Sequence, residues 1–214
     1  MKQALILGCS HAAGSEMYKG LDNSLDFDYG RDNSYPVIIA RSMGYTPNNQ
    51  SITGGSNDAI FRIYEEQQST LDHTDIVIAC WSGYNRTEIW NEQNKKWQPM
   101  APGKEDDISK EYLNYQQQWI MYHTNDRVGR LNKIKNILAL NCLAAEKNIR
   151  VINIDSFWSV SDMIWPKLVN WPVDDNLWNW CIDHGYSRTD WGHFFKPAHQ
   201  AFAEFVIRKG GYDA

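Results

Sequence analysis

The stretch "LILGCSHAAG", Leu5–Gly14, decides the reading of this chain. Apolar Leu5, Ile6 and Leu7 run into Gly8, and Cys9, Ser10 and His11 follow before two alanines and Gly14. A short continuous apolar run closed by turn residues is the pattern of a buried strand. The strand therefore runs over "QALILG", Gln3–Gly8, and opens into a turn of small residues that leads toward a helix. A hydroxyl stands at the first turn after the strand, between a thiol and an imidazole, with everything around it small.

Working outward, the same alternation repeats. "SYPVIIARSMGY", Ser34–Tyr45, predicts a helix, with Ser34 as cap and Pro36 early, where its missing N–H costs nothing. "NNQSITGGSND", Asn48–Asp58, is rich in turn residues, and the helix after it has Ile60, Ile63 and Tyr64 on one face, with Ser56 or Asn57 as cap. "TDIVIACW", Thr74–Trp81, and "IRVINID", Ile149–Asp155, are continuous and β-rich, as strands buried on both faces should be. Between them, Asn91–Asp107 is expected to be a loop excursion, and Glu111–Asn148 one bent helix or two. A Trp-rich irregular segment, Ser156–Ser187, precedes an amphipathic helix over "KPAHQAFAEFVIRKG", Lys196–Gly210. Strands alternating with helices predict an α/β chain with a parallel sheet of about five strands and helices on both faces. With no repeat and no low-complexity linker, residues 1–214 form a single domain, with elaborated connections near 86–108 and 156–188.

Composition narrows the function classes. Hydrophobic content is 43%, charged content 22% and net charge -5, which suits a globular protein and argues against a nucleic-acid partner. No apolar run reaches the roughly 18–20 residues that span a bilayer, so no membrane partner is expected. The N-terminal apolar run "ALIL" is shorter than the roughly 7–15 residues of a signal-peptide core, which leads to an expected cytoplasmic location. Cys9, Cys80, Cys142 and Cys181 have no metal-ligand spacing and read as reduced thiols, so no metal is expected. The 10 tryptophans fall into a middle and a late group, and fill the core or line a pocket for a flat ligand such as a sugar.

Ligand sites in open α/β sheets lie outside the carboxyl ends of the strands. The chemistry stationed there is Ser10 in "GCSHAAG", small donors in "SITGGSN", polar groups in "WSGYNRTE", and Asp190 with His193 in "TDWGH". Nucleophilic catalysis needs a hydroxyl, a base, a group that orients the base, and donors for an oxyanion. Asp190 and His193, three residues apart, can share one tight turn, where a carboxylate reaches a ring nitrogen. Asp183 and His184 form a second candidate pair inside the irregular segment.

Taken together and in this order, the four blocks resemble those of the SGNH/GDSL hydrolases, a superfamily of esterases and lipases. The resemblance implies a three-layer α/β/α flavodoxin-like sandwich and no cofactor. It makes Ser10 the nucleophile, His193 the base and Asp190 the orienting acid. The oxyanion donors it implies are Ser10, Gly54 (or its neighbour Gly55) and Asn85, with His199 a packing residue. His11, Trp81, Arg86 and Trp191 are the candidate pocket residues. The expected substrate is a small acyl ester, such as an O-acetyl group on a carbohydrate.

Two positions depart from the family pattern. Cys9 stands where the family has Asp before the nucleophile, and Arg86 where it has Asp after "GYN". Arg86 is expected to pair with Glu88 or Asp190, or else to hold an anionic substrate. The blocks are also similar to those of SGNH-like proteins of bacteriophages, which implies expression inside a host cell. It also keeps a second reading open: a catalytically silent binding, phage structural or host-interaction module on the same scaffold.

Overall fold

The computed structural model describes residues 2–17, 27–100, 118, 126–161, 164, 169–190 and 192–212. Strand β1 (Gln3–Gly8) leads through helices α1 (Phe27–Asp32) and α2 (Tyr35–Ser42) to β2 (Thr46–Asn49). Helix α3 (Asn57–Gln67) precedes β3 (Ile76–Trp81), a hairpin of β4 (Thr87–Asn91) and β5 (Lys96–Met100), and α4 (Asp126–Glu146). Strand β6 (Arg150–Asp155), α5 (Leu177–Asp183) and α6 (Lys196–Gly210) complete the described chain. The main sheet has four strands among the described residues, in the order β2-β1-β3-β6, all parallel.

Side chains of a strand alternate between faces, and here each face meets its own helices. Ala4, Ile6, Ile76, Ile78, Ile152 and Ile154 join α2, α5 and α6 in one core. Leu5, Leu7, Val77, Ala79 and Val151 join α3 and α4 in the other. The result is the expected three-layer α/β/α architecture. No helix among the described residues is long and apolar enough to cross a membrane.

Caps follow local chemistry. Ser56 Oγ accepts from the Ala59 N–H at 3.1 Å, which assigns the α3 cap to Ser56. Ser34 precedes α2 but makes no side-chain cap; its hydroxyl donates to Arg31 O at 2.9 Å instead.

The expected loop at Asn91–Asp107 is, over its first part, half of an antiparallel hairpin. Trp90 and Trp97 face each other across it with ring centroids 5.5 Å apart, yet both remain more than 40% exposed (45% and 43%). The turn hides from inspection because it holds no glycine: Asn91 Oδ1 accepts from the Gln93 and Asn94 N–H groups, and Lys95 takes the left-handed conformation at φ 53°. In the expected helical stretch Glu111–Asn148, α4 occupies Asp126–Glu146, and most of the part before it lies outside the described residues.

Candidate active site

The loop after β1 folds back on the strand that delivers it. Ala13 N–H donates to Cys9 O at 2.9 Å and Ser15 N–H to Ser10 O at 2.9 Å. A side chain on Gly8 would stand 2.5 Å from Ala12 Cβ and 2.9 Å from Cys80 Cβ, so the small residues first of all permit this close return. Gly14, at φ 67°, lies so near α1 that an added Cβ would meet Gly30 O at 2.0 Å. Cys9 is fully buried beside Tyr35 and Cys80, and burial pushes the Cys80 thiol well up, which makes it inert.

The second block is tied to this loop. Ile52 N–H donates to Gly8 O at 3.0 Å, Asn49 Nδ2 donates to Ala12 O at 2.9 Å, and the Thr53 and Ser15 hydroxyls meet at 2.8 Å. Of the two candidate donors, Gly55 spends its N–H on Ile52 O at 2.8 Å, and a Cβ added there would stand only 2.9 Å from the same oxygen. Gly54, at φ 78°, makes no such bond among the described residues. The third block is held by Asn57, which local sequence marks only as a helix-cap candidate. Its Oδ1 accepts from the Ser82 N–H at 2.8 Å, and its Nδ2 donates to Gly83 O at 3.3 Å. Asn85 is half-buried, with its Oδ1 folded over Gly83.

His193 lies against the loop that carries Ser10. Its ring centroid is 5.0 Å from that of His11, and its Nδ1 is 2.9 Å from Glu16 Oε2. Both side chains of this pair are largely enclosed, at 14% and 15% exposure. Thr189 closes the arrangement: its hydroxyl donates to the same Glu16 oxygen at 2.6 Å and accepts from the His193 N–H at 3.2 Å. Thr189 N–H also donates to His193 O at 2.8 Å. Asp190, expected at the ring nitrogen, is instead exposed and makes no hydrogen bond or ion pair among the described residues. The tight turn, closed by Gly192 N–H on Thr189 O at 2.9 Å, brings Thr189 rather than Asp190 back toward His193.

Ser10 is 3% exposed, and its hydroxyl and the His193 ring are not hydrogen-bonded to each other. Such contacts commonly tighten only when substrate binds. His11, expected as a loop or substrate contact, is a buried member of an aromatic cluster, with ring centroids 4.7 Å from Phe157, 5.9 Å from Phe194 and 6.1 Å from Trp178. Burial first, then His193, His199 and Arg86, hold its imidazole well below the usual histidine pKa, so it is neutral. Its Nδ1 has no hydrogen-bond partner among the described residues.

Other expectations are corrected by the tertiary packing. Trp81 is not a pocket residue: it is fully buried on the α3/α4 face and donates its indole N–H to Asn153 Oδ1 at 2.9 Å. Arg86 pairs with neither expected partner. Arg62 takes Glu88 through Nε at 2.7 Å and Nη2 at 3.0 Å, and Arg86 instead lies over the Phe157 ring, its Cζ 5.3 Å from the centroid. His184 turns away, with Nδ1 2.8 Å from Trp180 O and its ring stacked on Trp180, so Asp183 and His184 form no pair. His199 is a packing residue; it is buried, and its Nδ1 accepts from the Tyr35 N–H at 3.2 Å. Trp191 lies outside the described residues.

A buried ion pair supports the far wall. Lys133 Nζ is 2.6 Å from Asp155 at the end of β6, with the two side chains 0% and 2% exposed. Lys133 also donates to Phe157 O at 3.2 Å and Trp158 O at 3.0 Å, which fixes the start of the connection that carries Phe157.

Solved structures with the same arrangement of elements include a G-D-S-L family lipolytic protein from Desulfitobacterium hafniense. It aligns at TM-score 0.55 and 10% identity over 98% of this chain and 99% of its own. This is the fold of the G-D-S-L lipolytic proteins. A lipase from a goat rumen metagenome shares it at TM-score 0.58 and 11% identity, over 99% of this chain and 98% of its own. An acetyl xylan esterase from Butyrivibrio proteoclasticus shares it at TM-score 0.51 and 12% identity, over 99% of this chain and 65% of its own. No protein-family model and no curated protein matches the sequence.

Proposed function

We propose that the protein is a serine esterase that hydrolyses a small acyl ester. The observation that carries this is the meeting of two distant segments: the His193 ring lies against the Ser10–Met17 loop, 5.0 Å from the ring next to Ser10. In the proposed reaction Ser10 Oγ attacks the ester carbonyl and His193 Nε2 takes its proton. The tetrahedral oxyanion is received by the Ser10 and Gly54 N–H groups and the Asn85 amide. Collapse expels the alcohol, which receives the proton from His193. A water activated by the same imidazole then releases the acid and regenerates Ser10.

Each donor would contribute substantially, since loss of one oxyanion donor typically lowers kcat by about 10²–10³. The acetyl xylan esterase that shares the fold supports an O-acetyl group on a carbohydrate as the first substrate to try. The guanidinium of Arg86, stacked on Phe157 and free of any ion pair among the described residues, favours a substrate with a negative charge beside the ester.

The deciding experiment is labelling with a fluorophosphonate probe, read by intact mass, on wild type beside Ser10→Ala and His193→Ala. A single adduct on wild type, absent from both folded variants, is expected. No adduct on folded wild type would favour the alternative of a silent binding module. The deep burial of Ser10, the lack of a hydrogen bond between its hydroxyl and the His193 ring, and the departures at Cys9 and Arg86 are the features that suit that alternative.

A further inference from the structure

We propose that Glu16, and not Asp190, is the positioning carboxylate of His193. It fixes the tautomer with the proton on Nδ1 and stabilises the imidazolium formed when Nε2 takes a proton. The inference deepens the esterase reading and rests on it for its kinetic consequence, but its structural claim stands separately.

The polarity of the hydrogen bonds around Glu16 Oε2 follows from counting protons and from acidity. The Thr189 hydroxyl has one proton; it accepts from the His193 backbone N–H at 3.2 Å and points that proton at Oε2, 2.6 Å away. His193 Nδ1 approaches the same oxygen at 2.9 Å. A protonated Oε2 could still accept from Thr189 while donating to Nδ1, so acidity places the proton between Oε2 and Nδ1: a carboxyl group is a stronger acid than an imidazolium and gives it up to the ring. An ionised Oε2 accepts from both. Two short contacts on one oxygen are therefore those of a carboxylate with two donors, and the ring proton sits on Nδ1. In the neutral imidazole Nε2 is then the lone-pair nitrogen, as a general base requires.

Backbone conformation carries a second, independent signal. Glu16 is a non-glycine residue in the left-handed region, at φ 61°. Such residues are uncommon, and where they persist the surrounding structure holds them, often at functional sites. Here that hold is visible: Gly14 packs on Gly30, and Ser15 is tied through its hydroxyl to Thr53. The loop that delivers Ser10 thus also delivers, six positions later, the acid for its base. Asp190 is exposed and offers no comparable contact among the described residues.

The test compares Glu16→Gln, Glu16→Asp and Asp190→Asn with wild type in two measurements. The first follows the His193 ring nitrogens by ¹⁵N NMR through a pH titration, which needs no turnover. Wild type should show the Nδ1–H tautomer. Glu16→Gln should lower the imidazole pKa by about 1 unit or more, because an opposite charge is gone. Asp190→Asn should leave both unchanged, with Glu16→Asp intermediate. Among the described residues, the other titratable or charged groups near the ring include His11 and His199, with Arg86 behind His11, and they are the same in all four proteins. The second measurement is the pH profile of kcat/KM on p-nitrophenyl acetate. Glu16→Gln should lose about 10²–10⁴ in kcat and move the acid limb downward. Asp190→Asn should stay within about threefold of wild type. A tautomer or pKa that follows Asp190 instead of Glu16 would overturn the inference. Wild type inert on every ester, with the NMR result as expected, would sink the esterase reading and leave the Glu16 assignment standing. An NMR response to neither variant would overturn the assignment whatever the activity.

Discussion

Glu16 Oε2 and His193 Nδ1 lie 2.9 Å apart although 177 positions separate them in the chain. The contact joins the loop after β1 to the turn before α6, and Thr189 locks it from the side of the histidine. A hydroxyl that holds both partners should matter even though it touches no substrate. Thr189→Val should lower kcat/KM by about tenfold, the scale of a hydrogen bond to a charged group, and Thr189→Ser should restore most of it. Steady-state kinetics on a p-nitrophenyl ester checks both.

The same contact depends on how the β1 loop descends. Gly14→Ala meets Gly30 O at 2.0 Å and a left-handed φ of 67°. The expected outcome is a loss of about 1–3 kcal/mol in stability, read by urea denaturation, with a fall in fluorophosphonate labelling as Glu16 is displaced.

Lys133 and Asp155 answer to a different physics. Removing one member of a buried pair strands the other charge, so Lys133→Met should destabilise by about 3–5 kcal/mol. Lys133→Met combined with Asp155→Leu should recover much of that loss, and chemical denaturation of the three proteins reads it directly.

Acid should weaken the fold through its buried imidazoles. Burial, then the charge of His193, depress His199 from 6.5 to about 3. The unfolded chain therefore binds a proton that the native state refuses between these values. Stability is fully present above the unfolded pKa and declines as pH falls toward the folded one, by up to about 1.4 kcal/mol per pH unit for one such group. His11 is shifted in the same direction by burial. Tm should fall as pH drops from 6.5 toward about 3, and His199→Gln, which can still accept from Tyr35 N–H, should flatten that slope.

Arg86 supplies a test of substrate charge. With Glu88 committed to Arg62, its guanidinium is available to an anion. A p-nitrophenyl ester with a terminal carboxylate should show kcat/KM about tenfold above its neutral methyl-capped counterpart, a preference that Arg86→Gln abolishes and that fades with added salt.

What the sequence determined by itself was the framework. β1, β3, β6 and α6 have ranges readable from local apolar runs and punctuation, because a strand buried on both faces and an amphipathic helix must each write its burial into consecutive residues. The same locality placed Ser10, Gly54 and Asn85 at strand ends and His193 before the last helix. It failed at Trp81, where an aromatic at a strand end says nothing of which face it takes, and at the hairpin, whose turn lacks glycine. Only the tertiary structure decided the partners. Asp190 is adjacent to His193 in sequence and exposed in space, while Glu16, Arg62 with Glu88, and Lys133 with Asp155 are chosen across elements. Their pairing rests on charge, distance and desolvation, which become defined only once the sheet and its helices have brought those atoms together.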